Sequence, residues 1–223
     1  MTWLLVQFLP MKKREKSIVI QFKKFVDKDV TAVEVTLHPK AKEFLFEHFV
    51  TMRKVFSDVL GQVETDYISI ALINQTGQIF FLSSKPSIEQ NLIEKHLLLF
   101  DGCYQSSFFS QDKPKLWSEL PHMGCTEVIK QYKQIEPGLI TGISIPAEYD
   151  SYKVIFSFGL KRINPYIQNK TSIHCEKLLA MGKYALRQIQ DYLTFPDKLP
   201  YAITKPKLKL IINNQVTYEH TPG

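Results

Sequence analysis

The clearest alternation in the chain lies near its middle. Tyr67–Asn74 (YISIALIN) sets Tyr67, Ser69, Ala71 and Ile73 against Ile68, Ile70 and Leu72, the period-two pattern of a strand with two unlike faces. Gln75-Thr-Gly-Gln78 follows, and then Ile79–Ser83 (IFFLS). Two β-rich runs around a short glycine-containing turn predict a hairpin, with Gly77 free to take a positive φ. One face of the first strand is large and apolar. Ser69 and Ala71 leave volume on the other.

Helical spacing brackets the hairpin. From Lys40 to Leu60, apolar residues recur at intervals of three and four through Phe44, Leu45, Phe49, Met52, Val55, Phe56 and Val59. Pro39 suits the first helical position and Gly61 the residue after the last. A second helix is expected from Pro86 to about Leu99. Phe100–Phe109 is aromatic and has no clear period, Ser110–Lys115 is a polar loop, and Trp117–Leu120 reads as a short turn. Thr126–Gln134 predicts a brief helix stopped by Glu136-Pro-Gly138. Leu139–Ile145 and Tyr152–Leu160 predict a second antiparallel pair joined by the polar stretch Pro146–Ser151, with Thr141, Ser157 and Gly159 as its small residues. Ile173–Leu193 predicts a long helix, with Thr171 or Ser172 as N-cap and Glu176 placed as in a capping box. Ser17–Phe25 fits a strand or a helix start, Val30–Leu37 a strand or extended arm, and Leu208–Val216 a last strand.

This order predicts an α+β fold, an α-β-α sandwich with a central antiparallel sheet, PAS- or GAF-like. The expected limits are an N-terminal arm over 1–38, a sensor-like domain over 39–195 and a Pro-containing basic tail over 196–223. A length of 223 residues with 44% hydrophobic content suits one domain with a full core. Aromatic content of 12% argues against disorder.

Charge narrows the functional classes. The net charge of +6 lies mostly in Lys12–Lys16, Lys23–Lys28 and Lys205–Lys209, and reads as solvated lysine. The strands are Lys-poor and no helix-turn-helix pattern is evident, so direct nucleic-acid binding is not expected. Cys103, Cys125 and Cys175 are an odd, unclustered set, which fits a reducing cytoplasm better than a disulfide scaffold. Met1–Pro10 is apolar but far shorter than the roughly 20 residues that span a bilayer. Its basic run follows the apolar stretch instead of preceding it, so no signal peptide and no membrane partner is expected; Met11 reads as the natural start, with a short interfacial anchor or a packed first strand as the alternatives.

No catalytic motif is found. The nine glycines form neither GxGxxG nor GxxxxGK[ST], and no GxSxG elbow exists. His122-x-x-Cys125 lacks a second pair at metal-ligand spacing. Cys125 has no identified base to raise its thiolate content. Asp101, Glu64 and Asp66 read as turn carboxylates. The chain is expected not to be an enzyme and to need no cofactor. The aromatic stretch through Phe100, Tyr104, Phe108, Phe109, Trp117 and Tyr132 reads as a lid that completes the core, as the wall of a ligand pocket, or as both.

Thr65-Asp-Tyr-Ile-Ser-Ile-Ala-Leu-Ile-Asn and Thr76-Gly-Gln-Ile-Phe-Phe-Leu-Ser-Ser-Lys-Pro86 together resemble the first hairpin of the sensor domain of LuxR-type regulators, particularly their divergent Legionella-like branch. Gly138-Leu-Ile-Thr-Gly-Ile-Ser-Ile, Val154-Ile-Phe-Ser-Phe-Gly159 and the long helix after them resemble the later part of that domain. The resemblance covers roughly residues 40–195. It implies an autoinducer-binding-like domain that holds a small, mostly apolar signal molecule between sheet and helices. Tyr67, Ser69, Phe81, Tyr104 and Trp117 are the expected lining residues. It also implies a homodimer, or a heterodimer with a full-length regulator. A protein-interaction module without ligand is the alternative expectation. Two departures stand out. The family continues from its Pro-rich linker into a helix-turn-helix, whereas this sequence ends at Gly223, as expected of a truncated form or a stand-alone sensor. The Trp/Tyr/Asp pattern of the acyl-homoserine-lactone readers has no match beside the hairpin, where Lys85-Pro86 stands instead, so the resemblance leaves the ligand open.

Overall fold

The structure is a computed structural model and describes residues 35–197. The expectations at Ser17–Phe25 and Leu208–Val216 lie outside these residues, as does most of the Val30–Leu37 run, of which Thr36–Leu37 forms a short strand, β1. Helix α1 (Ala41–Glu47) and helix α2 (Phe49–Val63) follow. Strand β2 (Tyr67–Ile73) and strand β3 (Gln78–Ser83) form the predicted hairpin. Asn74 Oδ1 accepts from the backbone N–H groups of Thr76 and Gln78, and Gly77 takes φ +81°. Helix α3 (Pro86–Glu94) leads into two 3-10 turns, Leu98–Phe100 and Gly102–Tyr104, and helix α4 (Ser106–Phe109). Strand β4 (Lys115–Leu116) and a 3-10 turn at Trp117–Glu119 come next. Helix α5 (Thr126–Lys130) runs into a π turn, Gln131–Ile135. Strand β5 (Thr141–Tyr149), strand β6 (Tyr152–Leu160), helix α6 (Pro165–Gln168) and helix α7 (Ser172–Gln190) complete the domain.

The six strands form one sheet in the order β1-β3-β2-β6-β5-β4. β1 lies parallel to β3 and the other pairings are antiparallel. Helices cover both faces, so the expected α-β-α sandwich is the observed architecture. On one face Ile68, Ile70, Leu72, Phe80, Leu82, Phe156 and Phe158 pack against α2 and α7. Fully buried side chains such as Phe56, Phe80 and Phe156 each contribute about 1.5–3 kcal/mol through removal from water. Gly182 lets α7 come close, because a Cβ there would lie 2.5 Å from Phe156 Cδ1. On the other face Tyr67, Ala71, Ile79 and Phe81 meet Cys103, Tyr104, Phe108, Trp117 and Leu139.

Several expected boundaries move. The first helix breaks at His48 and runs past Gly61 to Val63, with Glu64 rather than a glycine in the left-handed position at φ 53°. The helix from Pro86 stops at Glu94, after which His96 takes φ 55°. The aromatic stretch is not irregular throughout, since it folds into tight turns and α4. β5 continues through Pro146 to Tyr149 instead of ending in a polar loop. β4 pairs only with Ile143 and Ser144, so Pro146 sits where that side of β5 is an edge and its missing N–H removes no ladder bond. Thr171 occupies the N-cap of α7, but its hydroxyl meets His174 Nδ1 at 3.1 Å instead of capping the backbone. The capping box with Glu176 does not form.

Candidate functional site

The lid-facing side of the sheet carries a row of four serines, one per strand. Ser83 pairs with Ser69, Ser69 with Ser157, and Ser157 with Ser144. The neighbouring row holds Gly142 opposite Gly159. Residues that share a row on one face of a sheet stand side by side, so these small groups make a shallow trough. Thr141, expected to line it, stands on the opposite face: β5 is read one residue out of phase, which flips every side chain. Trp117 lies against the glycine end of the trough, where a Cβ on Gly142 would collide with its ring.

One polar cluster fills part of this trough. Lys133 comes from the π turn and is 3% exposed. Its Nζ donates to Asp101 Oδ2 at 2.6 Å and to Cys103 Sγ at 3.1 Å, and lies 4.9 Å from the centre of the Trp117 ring. Asp101 Oδ1 accepts from Cys103 N–H at 3.0 Å. Trp117 Nε1 donates to Ser144 Oγ at 3.1 Å, and Ser144 Oγ lies 2.9 Å from Ser157 Oγ and 3.1 Å from Cys103 Sγ. Burial opposes the charge on Asp101, but the ammonium and the hydrogen bonds hold its carboxyl below the usual range. Lys133 is held above its ordinary value against its own desolvation, chiefly by Asp101. Burial, together with Asp101, pushes the Cys103 thiol up to about 12, so it stays protonated and non-nucleophilic at neutral pH. His122 is lowered by burial, and its Nδ1 accepts from Gly102 N–H at 3.0 Å, as a neutral ring does.

A second cluster sits beside it. Tyr67 donates its hydroxyl proton to Glu89 Oε1, and Tyr67 packs edge-on to Trp117 with ring centres 6.0 Å apart. Glu89 is 1% exposed and Ser69 is 2% exposed. Burial raises the Glu89 carboxyl above its ordinary value, although Ser83, Tyr67 and Ser69 lie close enough to draw it partly back. Burial and Glu89 together push the Tyr67 phenol up. Glu89 Oε2 and Ser69 Oγ make no hydrogen bond of accepted geometry with any described group. Buried polar atoms are nearly always paired, and each one left alone costs about 1–3 kcal/mol.

All five expected lining residues lie in this layer. Tyr67 and Ser69 stand on β2 and Phe81 on β3. Tyr104 packs on Phe81 with ring centres 5.5 Å apart, and Trp117 lies over Gly142. Sequence reasoning missed Glu89, Lys133 and Ser144. Asp101 is the turn carboxylate the sequence suggests, capping the Gly102–Tyr104 turn through Cys103 N–H, but sequence reasoning missed that it is also fully buried and ion-paired. A cleft of about 230 Å³, lined by residues including Trp117, Leu120, His122, Ile129 and Lys133, opens beside the first cluster. Among the described residues no three His, Cys, Asp or Glu side chains gather to hold a metal ion, and no helix is long and apolar enough to cross a membrane.

The fold has known counterparts. The chain is similar to Escherichia coli SdiA, at 15% identity over 73% of each chain with a TM-score of 0.51. It is equally similar to SdiA in complex with octanoyl-rac-glycerol, at 16% identity over 73% of this chain and 71% of that one, again with a TM-score of 0.51. CepR2 from Burkholderia cenocepacia, an N-acylhomoserine-lactone-dependent LuxR-family transcription factor, gives 12% identity and a TM-score of 0.49 over 68% of this chain and 98% of its own. The fold is that of the autoinducer-binding domain of LuxR-type regulators, as the sequence resemblance implies. No protein-family model matches the sequence, and no curated protein sequence matches it significantly.

Proposed function

We propose that this chain is a sensing domain that binds a small, mostly apolar molecule between the sheet and the Phe100–Trp117 lid. One observation carries the reading: Glu89 Oε2 and Ser69 Oγ are buried and make no hydrogen bond of accepted geometry with any described group, beside a polar cluster whose members are all paired. A fold gains nothing from such atoms by themselves, but a ligand with a polar head would satisfy them. The trough of serines and glycines provides the floor, Phe81 an apolar wall, and Tyr67, Tyr104 and Trp117 apolar walls with polar tips. SdiA, which has this fold, forms a complex with octanoyl-rac-glycerol, and an acyl chain with a compact polar head is the kind of molecule this layer suits. The regulatory role belongs to the same reading: a cytoplasmic regulator of transcription that acts as a homodimer or pairs with a full-length relative.

The test is native mass spectrometry and thermal shift on the full chain against medium-chain amphiphiles, octanoyl glycerol included. Saturation at about 100 times the dissociation constant adds about 2.7 kcal/mol, which reads as a rise of several degrees in Tm. No retained molecule and no shift across the panel would sink the reading.

A ligand-free interaction module is the second reading, and a different surface favours it. Ile163, Tyr166 and Ile173 are 58–77% exposed. Ile163 and Tyr166 border a groove of about 350 Å³ between the end of α2, α6 and the start of α7.

A further inference from the structure

The domain already houses one ammonium group beneath its lid. Lys133 Nζ is held there by a carboxylate (Asp101), a weak acceptor (Cys103 Sγ) and the faces of Trp117 and Tyr104 at 4.9 and 5.9 Å. Glu89 offers a similar set of groups without the ammonium. It brings a carboxylate oxygen and the neighbouring Ser69 hydroxyl, neither with a hydrogen bond of accepted geometry to a described group, and the Tyr67 hydroxyl on the other oxygen. Among the described residues Glu89 makes no salt bridge, and Lys133 is committed to Asp101. Acids are almost never this deeply buried unless paired.

We propose that the head group read at Glu89 is a protonated amine, so that the ligand is a cationic amphiphile. The inference rests on the sensor reading above and names its ligand class. An ammonium has three N–H donors. One goes to Glu89 Oε2 and one to Ser69 Oγ, two of the three buried side-chain atoms that lack a hydrogen-bond partner among the described residues, Thr65 Oγ1 being the third. Tyr67 keeps its hydroxyl on Oε1. Where Glu89 carries a proton before binding, that proton leaves to water as the ion pair forms. An uncharged ester head leaves the acid without a countercharge, and a carboxylate head adds a second negative charge beside Glu89, which has no cationic partner among the described residues.

The experiment measures binding of octylamine, octanoyl glycerol and octanoate, each below its micellar concentration, to the full chain by calorimetry. Octylamine is expected to bind at least about tenfold tighter than octanoyl glycerol, with octanoate weakest. Glu89→Gln keeps the shape and removes the charge. It is expected to weaken octylamine by about 30-fold or more, the scale of losing one partner of a buried charge pair, and to leave octanoyl glycerol within about threefold. The comparison among the three heads on the unaltered chain needs no variant, so it stands even where the substitution disturbs folding. Equal binding of the amine and the ester, or a Glu89→Gln chain that still prefers the amine, overturns this inference and leaves the sensor reading intact. Binding of none of the three to the unaltered chain, together with a silent amphiphile panel, overturns both.

Discussion

Asp101 and Glu89 lie in the same buried layer, both shut away from water, yet their carboxyls move in opposite directions. Asp101 is drawn below its ordinary range and Glu89 is driven above it. Desolvation acts on both in the same sense, so burial alone does not decide the outcome. The difference is the partner. Lys133 lies 2.6 Å from Asp101, and a backbone N–H completes the shell of its other oxygen. Glu89 receives the Tyr67 hydroxyl on Oε1, while Oε2 has serine hydroxyls nearby but no hydrogen bond of accepted geometry and no countercharge among the described residues. The first cluster is finished by the chain itself, and the second is not completed by any described residue.

Breaking the finished cluster has the largest expected effect. Lys133→Ala leaves Asp101 buried with no countercharge and should cost about 3–5 kcal/mol in urea unfolding at neutral pH. The Lys133→Met, Asp101→Leu double variant removes both charges and should recover most of that loss. The sign of the pH dependence follows from the lowered Asp101 carboxyl. Its stabilising share is full above the ordinary aspartate value of 3.8 and is lost as pH falls through the lower folded value. Ser144→Ala comes next. It strips Trp117 Nε1 of its acceptor and should cost about 1–3 kcal/mol, with a change in Trp117 fluorescence as the local readout.

Glu89→Gln should move the other way. A raised carboxyl binds its proton more tightly folded than unfolded, so its contribution is full below the ordinary glutamate value of 4.5 and is lost as pH rises through the folded value. The glutamine variant should therefore gain little near pH 4 and about 1–2 kcal/mol at the alkaline end of that window, the scale of an unpaired buried polar group. A loss of stability at pH 8 would mean that the charged carboxylate has a partner, and the contrast with Asp101 would collapse.

The two clusters were unequally legible in the sequence. The hairpin could be read because β2 alternates cleanly and Gly77 marks its turn, and that placed Tyr67, Ser69 and Phe81 on one face. The second strand pair was harder. Gly138 through Ile145 holds small residues on both phases, Thr141 on one and Gly142 and Ser144 on the other, and only the register with β6 decides which phase meets the lid. Lys133 was invisible for a different reason. A lysine in a short polar helix reads as solvent-facing, but the π turn at Gln131–Ile135 departs from the 3.6-residue period on which that reading depends. Asp101 before Gly102 has the signature of a turn, and it does begin one, accepting from Cys103 N–H, while its other oxygen meets a lysine 32 residues away. Long-range pairing of this kind leaves no local trace.

The smallest effect is the most pointed. Ser69 and Ser144 stand in one row of the sheet, with Ser157 between them. Ser144 Oγ has three neighbours within 3.1 Å, and Ser69 Oγ has no hydrogen bond. Removing a hydroxyl that bonds nothing removes a desolvation cost along with the group. Ser69→Ala should therefore leave the free chain within about 0.5 kcal/mol of its parent and slightly on the stable side, whereas Ser144→Ala is clearly destabilised. With octylamine present the order should reverse its meaning. Ser69→Ala then loses part of the ligand-induced rise in Tm while its ligand-free Tm is unchanged. A Ser69→Ala chain that is destabilised without ligand, and unaltered in its response to ligand, would show that this hydroxyl serves the fold and not a bound molecule.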